Sequence, residues 1–131
     1  MGLAFLLVLL GLGCLFLAYR EQEPFQEIKV KGEALQKLVV QETVSQGADP
    51  MERTIDFAAL QRINPEIVGW LYVPQIGVDS PILTGQTDTE YLTKDFEGAY
   101  SPLGSIFTFA GARLSDSQVY LFAHNMASGQ M

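Results

Sequence analysis

Basic side chains are scarce: 8 lysines and arginines stand against 15 aspartates and glutamates in 131 residues, for a net charge of -7. A chain with so little positive charge has no electrostatic footprint for a polyanion, so nucleic acid is excluded as a partner. Cysteine and histidine occur once each, as Cys14 and His124. One thiol makes no internal disulfide. The two together fall short of the four ligands of a structural zinc site or the three protein ligands of a catalytic one, so neither a metal nor a cofactor is expected. Internal repeats and low-complexity tracts are also absent, which removes solenoid and linker architectures. No serine stands in a Gly-x-Ser-x-Gly setting, and the acidic residues are scattered over turns and helices. Neither a serine hydrolase elbow nor a glycosidase carboxylate pair is indicated.

What the chain does have is uneven. Hydrophobic residues make up 48%, yet residues 1–19 carry no charged side chain at all. At 1.5 Å per residue such a stretch covers about 27–29 Å, close to the ~30 Å hydrocarbon core of a bilayer. The pattern predicts an uncleaved transmembrane anchor over 1–19. A cleaved signal peptide is the competing reading, but the run is long for a ~7–15-residue apolar core and no small-x-small site precedes Arg20. Gly11-Leu12-Gly13-Cys14 as a lipoprotein signal lacks the preceding basic residues. Arg20 is followed at once by Glu21 and Glu23, so flanking charge sets orientation poorly. The acidic, cysteine-free remainder suits a domain exported beyond the membrane, which predicts a single-pass protein of the cell membrane with its globular part outside.

A polar stalk is expected over 20–53 and a denser domain over 54–131. Pro24 is suited to open a helix, and Phe25, Ile28, Leu35 and Val39 form one apolar stripe interrupted by Gly32. The stretch 45–50 (Ser-Gln-Gly-Ala-Asp-Pro) should break it. Asp56 can cap a second helix in which Phe57, Leu60 and Ile63 share a face, with Asn64-Pro65 as its stop. Beyond that point short apolar runs separated by turn residues predict strands at 67–73, 76–83, 105–109 and 118–123, with a helical turn at 88–92. Pro74 and Pro81 place their strands at an edge or at strand ends. Four such strands begin an all-β barrel or sandwich. The run at 118–123 is the most apolar of the set and only a short stretch follows it, so the sequence reads as the N-terminal part of a larger fold.

His124 lies at the carboxyl end of that last run. A histidine here is either a strand-end residue bonded to backbone or an acid–base group held beside a cleft, since imidazole titrates near neutral pH. The wider pattern favours the second. Asn64 to Pro74 (Asn-Pro-Glu-Ile-Val-Gly-Trp-Leu-Tyr-Val-Pro), Ser80-Pro81-Ile82, Asp88-Thr89-Glu90-Tyr91-Leu92, Gly104-Ser105-Ile106-Phe107 and Ala123-His124-Asn125-Met126 together resemble the class B sortases in order and spacing. The resemblance implies a mainly β fold: an N-terminal transmembrane helix and helical stalk, then the first half of a sortase-type β-barrel.

It also implies an activity, that of a cysteine transpeptidase joining secreted proteins to the cell wall. A thiolate attacks the Thr–x bond of an Asn-Pro-x-Thr-x sorting-signal peptide to give a thioester, which an amine of a peptidoglycan precursor resolves. On this chain His124 would be the catalytic histidine, and Leu92, Asp88 and Phe122 would face the substrate peptide. Asp88 stands where the family often has asparagine, Phe122 where it commonly has tyrosine, and Phe109 where aspartate is usual. The family's Thr-Leu-x-Thr-Cys segment and its later arginine strand are not among these residues, so the 131-residue chain alone is expected to be inactive. A non-catalytic, membrane-tethered sortase-like module that binds peptide is the alternative.

Overall fold

A computed structural model of the chain describes residues 2–41 and 53–124. The anticipated break at 45–50 and the residues Asn125 and Met126 lie outside that range.

Helix α1 runs from Gly2 to Val39, 38 residues or about 57 Å. It passes through Pro24 instead of starting there. Strong helix formers on both sides, leucines before it and the Gln, Glu, Lys, Ala and Leu of 26–39 after it, offset the ~3 kcal/mol of one interior proline and the ~1 kcal/mol of Gly32. The membrane span expected over 1–19 is corrected on a separate ground. Among the described residues no helix is long and apolar enough to cross a membrane. The expected single-pass placement in the cell membrane, with the domain outside it, falls with the span.

Leu35 and Val39, one turn apart on α1, are 4% and 0% exposed. They pack into a core with Leu60, Ile67, Leu83, Tyr91 and Phe107, which fixes the helix to the domain. Ile28 of the anticipated stripe is half-buried. The chain leaves α1 through strand β1 (Val40–Gln41), which pairs antiparallel with β2 (Thr54–Ile55). Helix α2 (Phe57–Ile63) follows. The Asp56 carboxylate accepts the Ala59 N–H at 2.8 Å, a cap worth about 1 kcal/mol. Asn64 stops the helix in an extended conformation, as a residue before proline must.

Strand β3 (Ile67–Val73) and β4 (Val78–Thr84) form an antiparallel hairpin joined by a 3-10 turn at Pro74–Ile76, with Gly77 at φ 71°. Strand β5 (Ile106–Thr108) then lies parallel to β4, so the sheet is mixed, in the order β3-β4-β5. The crossover between β4 and β5 carries a second 3-10 turn, Glu90–Leu92.

Three further expectations are corrected here. Helix α1 alone is longer than the five strands together, so the described chain is not mainly β; its three-stranded sheet is mixed and accompanied by a long helix. Strand β4 is central, although Pro81 sits in it. Parallel pairing with β5 begins only at Ile82, so the proline occupies a stretch bonded on one side, where a missing N–H is tolerated. The run 118–123 does not form a strand: only Phe122 pairs, in an isolated bridge to Phe107. Tyr120 and Leu121 remain 56% and 40% exposed, because apolar composition makes no ladder without a partner alongside.

Candidate active site at His124

The bridge at Phe122 locates the histidine. Phe122 exchanges both backbone hydrogen bonds with Phe107 of β5, at 2.8 and 3.0 Å. Its ring stacks on Phe107 with centroids 5.5 Å apart and meets Phe109 edge-on at 4.8 Å. Two residues further on, half-buried His124 sets its Nε2 at 2.7 Å from the Leu92 carbonyl oxygen. A carbonyl only accepts, so Nε2 carries the proton and Nδ1 is the nitrogen left for other partners.

Leu92 ends the second 3-10 turn, and that turn is fixed from below by Tyr91, 1% exposed. The Tyr91 hydroxyl donates to Glu66 Oε2 at 2.5 Å and accepts from Asn64 Nδ2 at 2.8 Å. The same Asn64 amide donates to the Phe96 carbonyl at 2.9 Å. Glu90 braces the turn's outer side, pairing with Lys94 at 2.6 Å and accepting the Gln86 N–H at 2.7 Å. The Lys94 pairing, with that N–H second, holds the Glu90 carboxyl below its ordinary range and raises Lys94.

Burial, with the Glu66 acceptor second, pushes the Tyr91 phenol well above its ordinary value. An unfolded chain would ionise that phenol near pH ~10 while the folded one keeps it neutral. The associated stability is thus complete below about pH 10 and lost as pH climbs beyond it. Urea midpoints measured at about pH 8 and about pH 11 should fall for the native chain and fall distinctly less for Tyr91→Phe. Equal falls would refute this assignment.

His124 opens onto a cavity of about 470 Å³ between α1 and the sheet. Residues 28–36 of α1 form one wall; Trp70 and Val78–Pro81 line the sheet side, and Asp95, Phe96 and Leu103–Ile106 close the end near the imidazole. Ion pairs tie the helix and the chain beyond it to this frame. Lys31 reaches Asp95 at 3.2 Å and Glu97 at 3.1 Å; those contacts, Glu97 foremost, raise the lysine. Gln36 Nε2 donates to the Asp79 carbonyl at 2.7 Å. The Asp79 carboxylate accepts from Arg53 Nη1 and Nη2, at 2.9 and 2.5 Å, and from Trp70 Nε1 at 2.6 Å, while Arg53 stacks 3.7 Å over the Tyr72 ring. None of these long-range pairs has a motif that sequence reading could find.

Of the four site residues expected from sequence, His124 reaches the cavity and Leu92 reaches His124 through its carbonyl. Leu92's side chain packs against the core. Asp88 is exposed and accepts the Ala110 N–H at 2.8 Å, tying the crossover to the chain leaving β5. Phe122 lies in the aromatic cluster beneath the histidine. Cys14 is exposed on α1, fourteen residues or about 21 Å of helix before Ile28 at the cavity's edge, so it is no partner for the imidazole. Among the described residues no group of His, Cys, Asp and Glu is placed to hold a metal ion.

No protein-family model matches the chain. It is similar to sortase B of Staphylococcus aureus, 32% identical over 77 residues, which are 57% of this chain and 32% of that protein. It is likewise similar to sortase B of Listeria monocytogenes, 31% identical over 74 residues, 55% of this chain and 30% of that one. The chain thus spans about a third of the length of the curated relatives it matches. Among solved structures, sortase B from Bacillus anthracis in complex with AAEK1 superposes with a TM-score of 0.67 at 26% identity, covering 83% of this chain and 52% of that one. A sortase B complexed with triglycine superposes with a TM-score of 0.53 at 32% identity, over 57% and 36% of the two chains.

Proposed function

From its similarity to sortase B proteins over the portion it shares with them, we propose that the chain is the N-terminal part of a class B sortase and that its fold serves a cysteine transpeptidase in which His124 is the acid–base residue. The observation that carries this is the half-buried imidazole lining the cavity, with Nε2 committed to the Leu92 carbonyl and Nδ1 without a hydrogen-bond partner among the described residues. In the reaction a thiolate adds to the carbonyl carbon of the Thr–x bond of a sorting peptide. The tetrahedral intermediate collapses to a thioester, and the departing amine takes from Nδ1 of the imidazolium the proton that the thiol gave up on forming the thiolate. An incoming amine, which the same imidazole can deprotonate, then displaces the thiol and restores it. Leu92, Asp88 and Phe122 are proposed to border the peptide. The relative complexed with triglycine supports a glycine-type amine of a peptidoglycan precursor as the acceptor.

Cys14 is too far along α1 to serve as the nucleophile, and the Thr-Leu-x-Thr-Cys segment and arginine strand that the resemblance implies are not among these 131 residues. A polypeptide joining this chain to a Thr-Leu-x-Thr-Cys segment and a later arginine strand should cleave an Asn-Pro-x-Thr-x reporter peptide and accumulate a thioester visible by mass spectrometry. The 131-residue chain alone should cleave nothing. His124-dependent cleavage by the chain alone would overturn the division of roles. The second reading, a peptide-binding module without catalysis, rests on the cavity itself, about 470 Å³ and lined by Trp70, Phe96 and Leu103 beside His124. It predicts saturable peptide binding to the chain and no thioester in the joined polypeptide.

A further inference from the structure

Gly104 stands directly behind the group that holds His124. Its φ is +60°, and a Cβ there would lie 2.5 Å from the Tyr91 carbonyl oxygen, 2.6 Å from that of Leu92 and 2.9 Å from the Leu92 carbonyl carbon. The neighbours are backbone atoms. They cannot rotate aside as the Leu114 side chain can at Gly69 or that of Glu90 at Gly85. Hydrogen bonds fix both sides of this contact: Ser105 N–H to the Tyr91 carbonyl at 2.9 Å, Ser105 hydroxyl to the Lys94 carbonyl at 2.9 Å, and Gly104 N–H to the Ser101 carbonyl at 3.1 Å. The Leu92 carbonyl is the acceptor for His124 Nε2 at 2.7 Å.

We propose that Gly104 is a positioning residue for His124, acting through the Leu92 carbonyl. Without a side chain at 104 the carbonyl comes close enough to hold the Nε2 proton. That hydrogen bond fixes the tautomer and leaves Nδ1 as the nitrogen that exchanges protons with the reacting groups. A methyl group at 104 must move the carbonyl by about half an ångström or more to reach ordinary contact, and a hydrogen bond near its optimum does not survive such a shift. The role of Nδ1 rests on the transpeptidase reading; the link from Gly104 through the carbonyl to the imidazole does not.

The chain's single histidine makes the test direct, because every imidazole signal belongs to His124. In the full 131-residue chain, nitrogen-15 spectra taken where the imidazole is neutral should show one tautomer, with Nε2 protonated and its proton slow to exchange with solvent. Gly104→Ala should lose the slow exchange and give averaged ring nitrogens. Gly98→Ala is the control for backbone strain alone, since Gly98 has φ +85° and nothing within 4 Å of its would-be Cβ; it should keep the native signals. Gly104→Asn tolerates positive φ better and keeps the clash, so it should behave as Gly104→Ala does.

A folded variant at 104 that retains the single, slowly exchanging Nε2 proton overturns the proposal. So does an exchange-averaged imidazole in the native chain. Failure of both 104 variants to fold while Gly98→Ala folds would make Gly104 a requirement of the fold, and overturns it too. No thiol enters these spectra, so an inactive joined polypeptide with the native imidazole signature would refute the transpeptidase reading and leave this link standing.

Discussion

Replacing His124 with alanine, in a polypeptide that joins this chain to the nucleophilic segment, should lower kcat/KM for Asn-Pro-x-Thr-x cleavage by about 10²–10⁴-fold. The size follows from the step it serves. An amine leaving a tetrahedral intermediate unprotonated is a very poor leaving group, and His124 is the only imidazole in the chain. His124→Gln separates proton transfer from position. A glutamine amide can still donate to the Leu92 carbonyl, so the fold around the 3-10 turn should be kept, but the amide cannot pass a proton at neutral pH. Both variants should therefore be comparably slow, with thermal midpoints close to the parent. A loss of less than tenfold in either variant would remove His124 from the proton-transfer role and favour the binding-module reading.

The parts of this arrangement that sequence reveals are those specified locally. The apolar run at 67–73, closed by Asn64-Pro65 on one side and Pro74 on the other, matches β3 residue for residue. Asp56 marks the start of α2 because a capping carboxylate is a local, chemically distinctive signal. The 3-10 turn and β5 each fall within a few residues of where their apolar and turn residues place them. What stays hidden depends on residues far apart in the chain. The parallel pairing of β4 with β5 spans a crossover of about twenty residues and has no signature in either strand. The continuity of α1 through Pro24 is obscured because proline is as well suited to begin a helix as it is poorly suited to its interior. At the site, sequence points to His124 through its neighbours, whereas its partner is the main-chain carbonyl of a residue 32 positions earlier, which no side-chain pattern encodes. Gly104 stands in the sequence only as part of a motif, and its φ and its contact with that carbonyl give it a physical role.

Asn64 connects the local and non-local parts, and Asn64→Ala should destabilise the chain by about 2–4 kcal/mol. The side chain belongs to a residue only 7% exposed and spends every polar atom. Oδ1 accepts the Glu66 N–H at 2.9 Å, and Nδ2 donates to the Tyr91 hydroxyl and the Phe96 carbonyl. Truncation leaves the Glu66 N–H and the Phe96 carbonyl without these partners, and an unsatisfied buried group costs about 1–3 kcal/mol. In a domain of this size the thermal midpoint should drop by roughly 10 °C or more. Asn64→Asp sharpens the argument. It retains an acceptor for Glu66 N–H but loses both donors and places a carboxylate beside Glu66. Its deficit should be greatest near neutral pH and ease as acid protonates the new group, whose pKa the neighbouring charge raises. A pH-independent deficit would show that lost donors alone account for the effect. A cycle combining Asn64→Ala with Tyr91→Phe isolates the bond between them. Because the Tyr91 hydroxyl keeps Glu66 when Asn64 is removed, the coupling should be about 1 kcal/mol. Additive effects would place Asn64's contribution in its bonds to Phe96 and Glu66, the two that set where the 91–96 segment, and with it the Leu92 carbonyl, meets the start of β3.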